Sequence, residues 1–357
     1  MSEPRTTYRG NLQHLLADIM FLVISAVISG ANDWKNIEVF GKAQLDWLRK
    51  FVPLKNGIPS HDTLGRIFAI INHEQFSNCF TEWIDEICSL TQGEVVAIDG
   101  KKIRGSYDKA SKSPAIHMVS AFAANNGLCL GQISCEEKSN EITVIPKLLE
   151  ILAIKGCTVT IDAMGCQTKI AEKIIEKKAD YILAVKENQK ELYEQINKLF
   201  EIKQAVSVDT NIDAGHGRVE TRKCMVIDDL KFLDIEQGWK GLRSIIKVDS
   251  QSFIKADNKT QEETRFYISS LSANAASINL KIRNHWSVEN KLHWMLDVNF
   301  EEDLSRRRKG NSAKNFNIIA KIALSLIEQE ESKGNSKFSK RYKAALDVKF
   351  REKLLKI

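Results

Sequence analysis

The sequence predicts an α/β fold in which an all-helical N-terminal domain precedes a mixed β-sheet. Two observations lead to this prediction. Residues 1–92 place apolar side chains at helical spacing, beginning with Leu12, Leu15 and Leu16. From residue 93 onward, short apolar runs typical of buried strands appear, first as three consecutive runs and then in alternation with helical segments.

The N-terminal domain, residues 1–92, contains several apolar stripes with the period of a helix. The apolar run from Ile19 to Ala31 is shorter than the roughly 20 residues that a membrane-spanning helix needs, so it predicts a buried core helix. The segment Pro59–Thr63 is typical of a turn that leads into a helix, with Ser60 or Asp62 as its N-cap.

Residues 93–202 carry the strand-like runs, and Asn125–Gly127 between the second and third is a strong hairpin signal. After the third run, helical and strand patterns alternate. The order β-β-β-α-β-α-β-α is that of an RNase H-like core with a mixed five-stranded sheet. The predicted strands are Glu94–Asp99, His117–Phe122, Leu128–Ser134, Cys157–Asp162 and Tyr181–Val185.

Three further segments complete the predicted organisation. Residues 203–275 interrupt the alternation with short β-like runs and polar loops, which predicts an inserted β-rich segment. Residues 276–325 begin with a long helix that has Ser277 as its N-cap and reaches about Val298. Residues 326–357 form a basic helical tail.

The positive charge of the 357-residue chain is concentrated at its C-terminus. The formal net charge is +6, yet residues 332–357 hold nine Lys and Arg against two acidic residues. Phe338, Tyr342, Leu346 and Phe350 recur there at four-residue spacing. We therefore expect the tail to dock weakly on the body through this stripe and to present cations to a polyanion; a solvated charged helix is the alternative.

Composition excludes several classes of protein. A hydrophobic content of 43% with 27% charged residues argues against wholesale disorder. The seven cysteines include no C-x-x-C pair and no zinc-finger spacing, so we expect reduced thiols and a cytoplasmic protein.

Two predicted strands end on aspartates, Asp99 and Asp162. In the RNase H-like order these strands are neighbours, so the two carboxylates should meet in space. Because close carboxylates repel unless a cation lies between them, the pair predicts a site for Mg²⁺, with Mn²⁺ as a substitute. Two ions about 4 Å apart would activate an attacking oxygen and stabilise a leaving one.

A third carboxylate is expected from the long helix, where Glu289 is the preferred candidate and Asp297 is its rival. His285 and His293 lie four residues before and after Glu289, on the same helical face. A His-Glu-His zinc site is the alternative, which lacks further ligands nearby in the sequence. Asp-Gly turns and solvated helix glutamates are common, so each acid alone is weak evidence.

Several motifs resemble the bacterial insertion-sequence transposases of the DDE superfamily, and in particular the ISAs-type or H-repeat-associated group. The resemblance covers about residues 11–325. The motifs that carry it are Asn56–Thr63, Ile98–Lys101, Thr160–Gln167, Gly215–Arg222, His285–Trp294 and Leu296–Val298. It implies that Asp99, Asp162 and Glu289 are the catalytic acids and metal ligands, and that residues 203–275 are the β-strand insertion that precedes the glutamate helix.

One departure from the wider superfamily concerns the residues that flank the glutamate. Where that superfamily has Tyr, Arg and Lys, this chain has Ile282, His285 and Leu296. His285 or the nearby Arg283 is the candidate to replace the missing arginine in binding phosphate.

Other basic residues are candidates for contacts with DNA, with a solvated basic loop or an ion-pair ladder as the alternative in each case. Strand alternation places Arg218 and Arg222 on one face. Trp286 and Trp294 are expected in the core, or stacked on an unpaired base. The remaining candidates follow the first aspartate and the glutamate helix, and are Lys101, Lys102, Arg104, Arg306, Arg307 and Arg308.

The resulting functional prediction is a DDE transposase that hydrolyses a phosphodiester at each transposon end and joins the freed 3′-hydroxyl to target DNA. Its expected partners are double-stranded DNA, including terminal inverted repeats, and a second copy of the chain when two ends are brought together. We expect the helical N-terminal domain to read the ends, and the protein to lie with the bacterial nucleoid. The alternatives are another RNase H-like nuclease and a DNA-binding relative that has lost catalysis.

Overall fold

The computed structural model of the chain describes residues 3–5, 12–109, 113–135, 140–215, 218–231, 233, 238–255, 259–332 and 334–357. His216, Gly217 and Lys333, which belong to segments named above, lie outside these ranges. Within them, no helix combines the length and the apolar character that crossing a bilayer requires.

The N-terminal region is helical, as predicted. Ser60 is the N-cap of the fourth helix, because its hydroxyl accepts from the backbone N–H of Thr63. The apolar run from Ile19 is a buried helix, and Ile19, Leu22 and Val23 are inaccessible to solvent. The helices are α1 (Leu16–Ile28), α2 (Trp34–Ala43), α3 (Leu45–Leu48), α4 (His61–Ile70) and α5 (His73–Ile87).

The next elements form the predicted RNase H-like core. The strands are β1 (Val95–Ile103), β2 (Ile116–Ala123), β3 (Leu128–Cys135), β4 (Thr158–Ile161) and β5 (Asp180–Val185), and the helices are α6 (Glu141–Ile151), α7 (Thr168–Glu176) and α8 (Lys190–Ile202). The strand order is β3-β2-β1-β4-β5, with β1, β4 and β5 parallel and β2 antiparallel to both of its neighbours. The predicted order and hairpin are therefore confirmed.

The end of β1 differs from the prediction. We expected the strand to stop at Asp99, but it continues to Ile103, which pairs with Ile116 of β2. The reason is that the antiparallel partner β2 supplies hydrogen bonds beyond the point where the parallel partner β4 ends. Asp99 consequently lies inside a strand, while Asp162 directly follows one.

The inserted segment is more regular than its sequence indicated. It forms four long antiparallel strands, β6 (Ser207–Gly215), β7 (Arg218–Ile227), β8 (Ser244–Ile254) and β9 (Lys259–Ser269). Because β9 pairs with β5, the insertion continues the core sheet, and the order becomes β3-β2-β1-β4-β5-β9-β8-β7-β6. The five-stranded core and the inserted β-rich segment are as predicted, but the sequence did not indicate that the inserted strands are long or that they extend the core sheet to nine strands.

The glutamate helix is interrupted by a π-helical turn. Helix α9 (Ala275–His285) is followed by the π-turn (Val288–His293) and by α10 (Trp294–Phe300). The N-cap is Asn274, whose side chain accepts from the N–H of Ser277, so the prediction of Ser277 as the cap was wrong. π-Turns within helices occur frequently at functional sites.

One helix joins the N-terminal helices to the sheet. Helix α11 (Ser312–Glu328) is buried along nearly its whole length and packs against α1, α4, α5 and β3. The same hydrophobic core therefore includes Ile19 of α1, Ile319 of α11 and Ile98 of β1. The N-terminal helices are thus part of one packed body with the sheet.

The C-terminal tail is folded against this body, and the expectation that its four-residue aromatic and apolar stripe docks it was wrong. Helices α12 (Lys337–Leu346) and α13 (Val348–Leu355) bury Lys340, Arg341 and Arg351, whereas Phe338, Tyr342 and Leu346 are exposed. The helix break at Asp347 places Phe350 alone of the stripe in the core. The tail docks through these buried cations and through Ala344, Phe350 and Leu354, which belong to the hydrophobic core.

Those cations can be buried because they donate hydrogen bonds to backbone carbonyl oxygens. The guanidinium of Arg341 donates to the carbonyl oxygens of Val27 and Asn299 and lies 4.3 Å from the ring centre of Phe300. A buried charge is tolerated only when its donors are satisfied in this way. The net charge of the tail consequently overstates the charge that it presents to DNA.

We expect Arg351→Met to lower the free energy of unfolding by about 1–3 kcal/mol, since it removes hydrogen bonds to a buried charge. Arg351 donates to Ala344 O at 3.2 Å and Gln44 Oε1 at 2.7 Å, and lies 4.0 Å from the ring centre of Trp47. Urea unfolding measures the change. Lys349→Met is the control at an exposed position of the same helix, and an equal loss in both variants would contradict the role given to Arg351.

Candidate metal centre and nucleic-acid interface

The pairing of β1 with β4 positions the two aspartates. Ile98 and Ile161 are partners in the parallel ladder, so Asp99 and Asp162 follow at the same level on neighbouring strands. The carboxylate of Asp162 also caps a short 3₁₀ turn and accepts from the N–H groups of Met164 and Gly165, at 3.1 and 3.4 Å. The sequence prediction that these strands are neighbours is confirmed.

Glu289 and His293 reach the same place from the π-turn. The Nδ1 atom of His293 lies 3.4 Å from Oδ2 of Asp99 and 3.6 Å from Oε2 of Glu289. Asp99, Glu289 and His293 can each offer one ligand atom to a metal ion, and these three atoms lie within 4.8 Å of one another. His293 is nearly buried, and its position beside Asp99 was missed by the sequence analysis, which considered it only as part of a zinc column.

Burial and neighbouring negative charges disfavour the ionised forms of Asp99 and Asp162. Burial raises the pKa of Asp99 to about 6; His293 opposes this shift, and the negative charges of Glu289 and Asp162 add to it. Burial and the charge of Glu141 raise the pKa of Asp162 as well. His293 holds the pKa of Glu289 below its ordinary value. Asp99, Glu289 and His293 are a donor set that fits a divalent cation, and the charge of Asp162 acts on Asp99 from the neighbouring strand.

His285 does not have the role that the sequence analysis suggested. Its Nδ1 atom lies 2.9 Å from the hydroxyl oxygen of Thr160, and burial lowers its pKa to about 4. The ring is therefore neutral at physiological pH and offers no positive charge to a phosphate. It is engaged with β4, so the His-Glu-His column of a zinc site does not form.

Lys101 and Asp297 are partners of each other. The Nζ atom of Lys101 lies 2.5 Å from Asp297 and 2.9 Å from Glu302, and these acids raise the pKa of Lys101 despite its burial. Lys101 is thus an anchor between β1 and α10, rather than a free cation for DNA. Asp297 is engaged in this pair, and Glu289 is the carboxylate that lies in the cluster.

The basic run after α10 is divided between the interior and the surface. Arg307 lies over Trp34 and Phe316, at 5.0 and 3.3 Å from the ring centres, and burial lowers its pKa to about 9. The expectation that Arg307 contacts DNA is therefore not supported by its position. Arg306 and Arg308 are exposed.

Two basic residues at the end of β1 and just after it are accessible. Lys102 is exposed, as is Arg104, whose Nε atom lies 3.6 Å from Asp303. They remain candidates for contacts with DNA.

A cleft of about 1190 Å³ separates the inserted strands from α9 and the π-turn. Arg218, Arg222 and Arg283 line it, as do Arg265 and Lys291, which the sequence analysis did not single out. Arg222 lies 3.4 Å from Glu220, and Arg283 pairs with Asp213. The acids Glu220, Glu262 and Glu263 also line the cleft, so its charge is mixed with an excess of cations.

Trp286 is exposed at the edge of this cleft, and the expectation of a core position was wrong for it and for Trp294. The guanidinium carbon of Arg265 lies 4.8 Å from the centre of the Trp286 ring. Strand alternation along β9 could have indicated that Arg265 and Tyr267 share a face of the sheet. No sequence pattern near β9, however, indicated that α9 would face them across the cleft.

Comparison with known proteins places this geometry in a family. The family model described as "Transposase DDE domain" matches residues 90–326, and a second, "DDE_Tnp_1-associated", matches residues 1–84. The chain belongs to the DDE transposases. It is 45% identical to "Putative transposase YncI" of Escherichia coli O157:H7, over 99% of this chain and 92% of that one. It is 43% identical to "H repeat-associated putative transposase YhhI" of Escherichia coli K12, over 94% and 91%.

The resemblance that the motifs indicated is therefore confirmed. A transposase cleaves and rejoins phosphodiester bonds of DNA, and DDE transposases generally use a divalent metal. The cluster of Asp99, Glu289 and His293 provides donors suited to such an ion.

The residue after Asp99 in this transposase, Gly100, lies in a closely packed part of β1. Gly100 faces a pair formed by His117 and Glu141, whose Nε2 and Oε1 atoms are 2.8 Å apart. A Cβ atom at position 100 would collide with both side chains. Only glycine therefore lets β1 pass this pair.

We expect Gly100→Ala to destabilise the transposase by about 1–3 kcal/mol, because the added methyl group overpacks a filled site. Thermal unfolding measures the loss. Gly215→Ala is the matched control, since a Cβ atom there meets nothing within 4 Å. A similar loss in the two variants would show that the contact with Glu141 and His117 is not its cause.

Proposed function

We propose that Asp99, Asp162 and Glu289 are the catalytic acids of this transposase and that together they hold two Mg²⁺ ions. The reaction begins with hydrolysis, in which a water oxygen bonds to phosphorus at the transposon end and the 3′-oxygen leaves. The freed 3′-hydroxyl then attacks a phosphodiester of target DNA, and that strand's own 3′-oxygen departs.

The position of Asp99 beside Glu289 on the π-turn, and next to the strand that Asp162 follows, supports this proposal. Burial and mutual repulsion make the anionic form of Asp99 unfavourable, and a cation relieves both. When bound, divalent ions would activate the attacking oxygen and stabilise the leaving one. Rigid elements hold the acids: Asp99 lies within β1, Asp162 is tied to its own 3₁₀ turn, and Glu289 lies on the π-turn.

Asp99→Asn, Asp162→Asn and Glu289→Gln should each reduce DNA cleavage at least about 100-fold, because each removes a preorganised charge from the site. Cleavage is measured on DNA that carries the inverted repeats flanking the coding region. Asp297→Asn is the matched control: it removes one partner of Lys101 but leaves Glu302 in place, and it should reduce cleavage far less than Glu289→Gln. If Asp297→Asn abolishes cleavage while Glu289→Gln does not, the third acid is misassigned.

We also propose that the cleft between the inserted strands and α9 holds DNA as it approaches these acids. Arg283 and Lys291 line the cleft on either side of Glu289 in the sequence, and Arg218 and Arg265 face them from the strands. Cations in a groove beside the site suit a phosphate backbone. Two copies of the chain would act together, since each transposon has two ends.

Arg218→Ala should weaken binding to a labelled DNA duplex and reduce the slope of log K against log salt by about 1, as expected for one lost phosphate contact. Fluorescence anisotropy over a series of salt concentrations measures both. Lys349→Ala, which removes an exposed cation from α13, should leave the slope unchanged. Equal slopes in the Arg218 variant and the parent would exclude a phosphate contact at this residue.

A further inference from the structure

We propose that His293 is a direct ligand of the cation held between Asp99 and Glu289. This inference rests on the proposed metal centre and refines it. The position shared by Asp99 and Glu289 would then bind its ion through oxygen and nitrogen, whereas the position shared by Asp99 and Asp162 has carboxylate oxygens alone. The two cation positions would consequently differ in their preference for metals.

The distances around His293 are those of ligands that share an ion. Nδ1 lies 3.4 Å from Oδ2 of Asp99 and 3.6 Å from Oε2 of Glu289. Both separations exceed the roughly 2.7–2.9 Å of a charge-assisted hydrogen bond. Neighbouring ligands of an ion bound at about 2.1 Å lie roughly 3.0–3.4 Å apart in octahedral or tetrahedral geometry. A small approach of the three side chains would complete such a shell.

The ring of His293 is also turned toward the acids. Its side chain is 6% exposed, and its Nε2 atom has no hydrogen-bond partner among the described residues. Nδ1 is therefore the ring nitrogen that engages other groups, and both of its neighbours are carboxylates. A histidine that served only to fill the core would not need to direct a nitrogen at two acids.

Lys101 helps to keep this nitrogen in place. The Nζ atom donates to the backbone carbonyl of His293 at 3.3 Å and is held in turn by Asp297 and Glu302. The π-turn that carries Glu289 and His293 is thus tied to β1 two residues after Asp99. These contacts are made by the protein alone, so the three candidate ligands are preorganised.

A mixed site has a measurable consequence for metal choice. Mn²⁺ accepts an imidazole nitrogen more readily than Mg²⁺, which is a smaller and harder cation that prefers oxygen. Replacing His293 with glutamine should therefore weaken Mn²⁺ binding at least about tenfold and change Mg²⁺ binding much less. Mn²⁺ is the probe of choice because its electron spin reports the nuclei that are bound to it.

The experiment loads the full chain with less than one equivalent of Mn²⁺ and records electron spin-echo envelope modulation, with calorimetry for affinity. The parent should show coupling to one ¹⁴N nucleus, and His293→Gln should lose it. His61→Gln, at the start of α4 beside Glu38, is the matched control and should keep the coupling.

The outcomes separate this inference from the proposed function. If Asp99→Asn abolishes Mn²⁺ binding but the parent shows no nitrogen coupling, His293 is not a ligand and the carboxylate centre stands. Nitrogen coupling that persists in His293→Gln would likewise overturn the assignment. If Asp99→Asn leaves Mn²⁺ binding unchanged, the metal centre itself is wrong and both proposals fail.

Discussion

The parallel pairing of β1 with β4 is the constraint on which the site depends. It places Asp99 and Asp162 after paired isoleucines on adjacent strands, and adjacent strands lie only about 4.8 Å apart. The charge of Asp162 adds to the raised pKa of Asp99, and neighbouring carboxylates destabilise each other unless a cation is present. The sheet therefore concentrates negative charge at Asp99 and Asp162, which favours the binding of a cation there.

The π-turn brings Glu289 beside Asp99, and Lys101 connects that turn to β1. Lys101 binds the carbonyl of His293 as well as the carboxylates of Asp297 and Glu302. A lysine two residues after the first aspartate would be expected to neutralise a phosphate. Its burial among acids makes it a structural cation instead. Its charge adds to the effect of His293, which lowers the pKa of Glu289.

The basic tail likewise contains cations that are buried and paired and so are not available to phosphate. Arg341 and Arg351 lie in the interior, where carbonyls and aromatic rings surround them, so they stabilise the packing of α12 and α13. The surface that we propose for DNA is the cleft beside Glu289, which Arg218 lines. Formal charge along the sequence is a poor guide to a binding surface, because it does not show which cations already have partners.

The sequence by itself determined the helical N-terminal region, the order of the core strands and the family. These follow from local signals: apolar periodicity, a hairpin turn and motifs such as Thr160–Gln167. The tertiary structure decided what depends on distant partners. It showed that β9 pairs with β5, that His285 is bound to Thr160, that Arg307 is covered by aromatic rings and that His293 lies beside Asp99. The physical reason is that burial and charge pairing are properties of residues that meet only when the chain folds, and no local pattern records them.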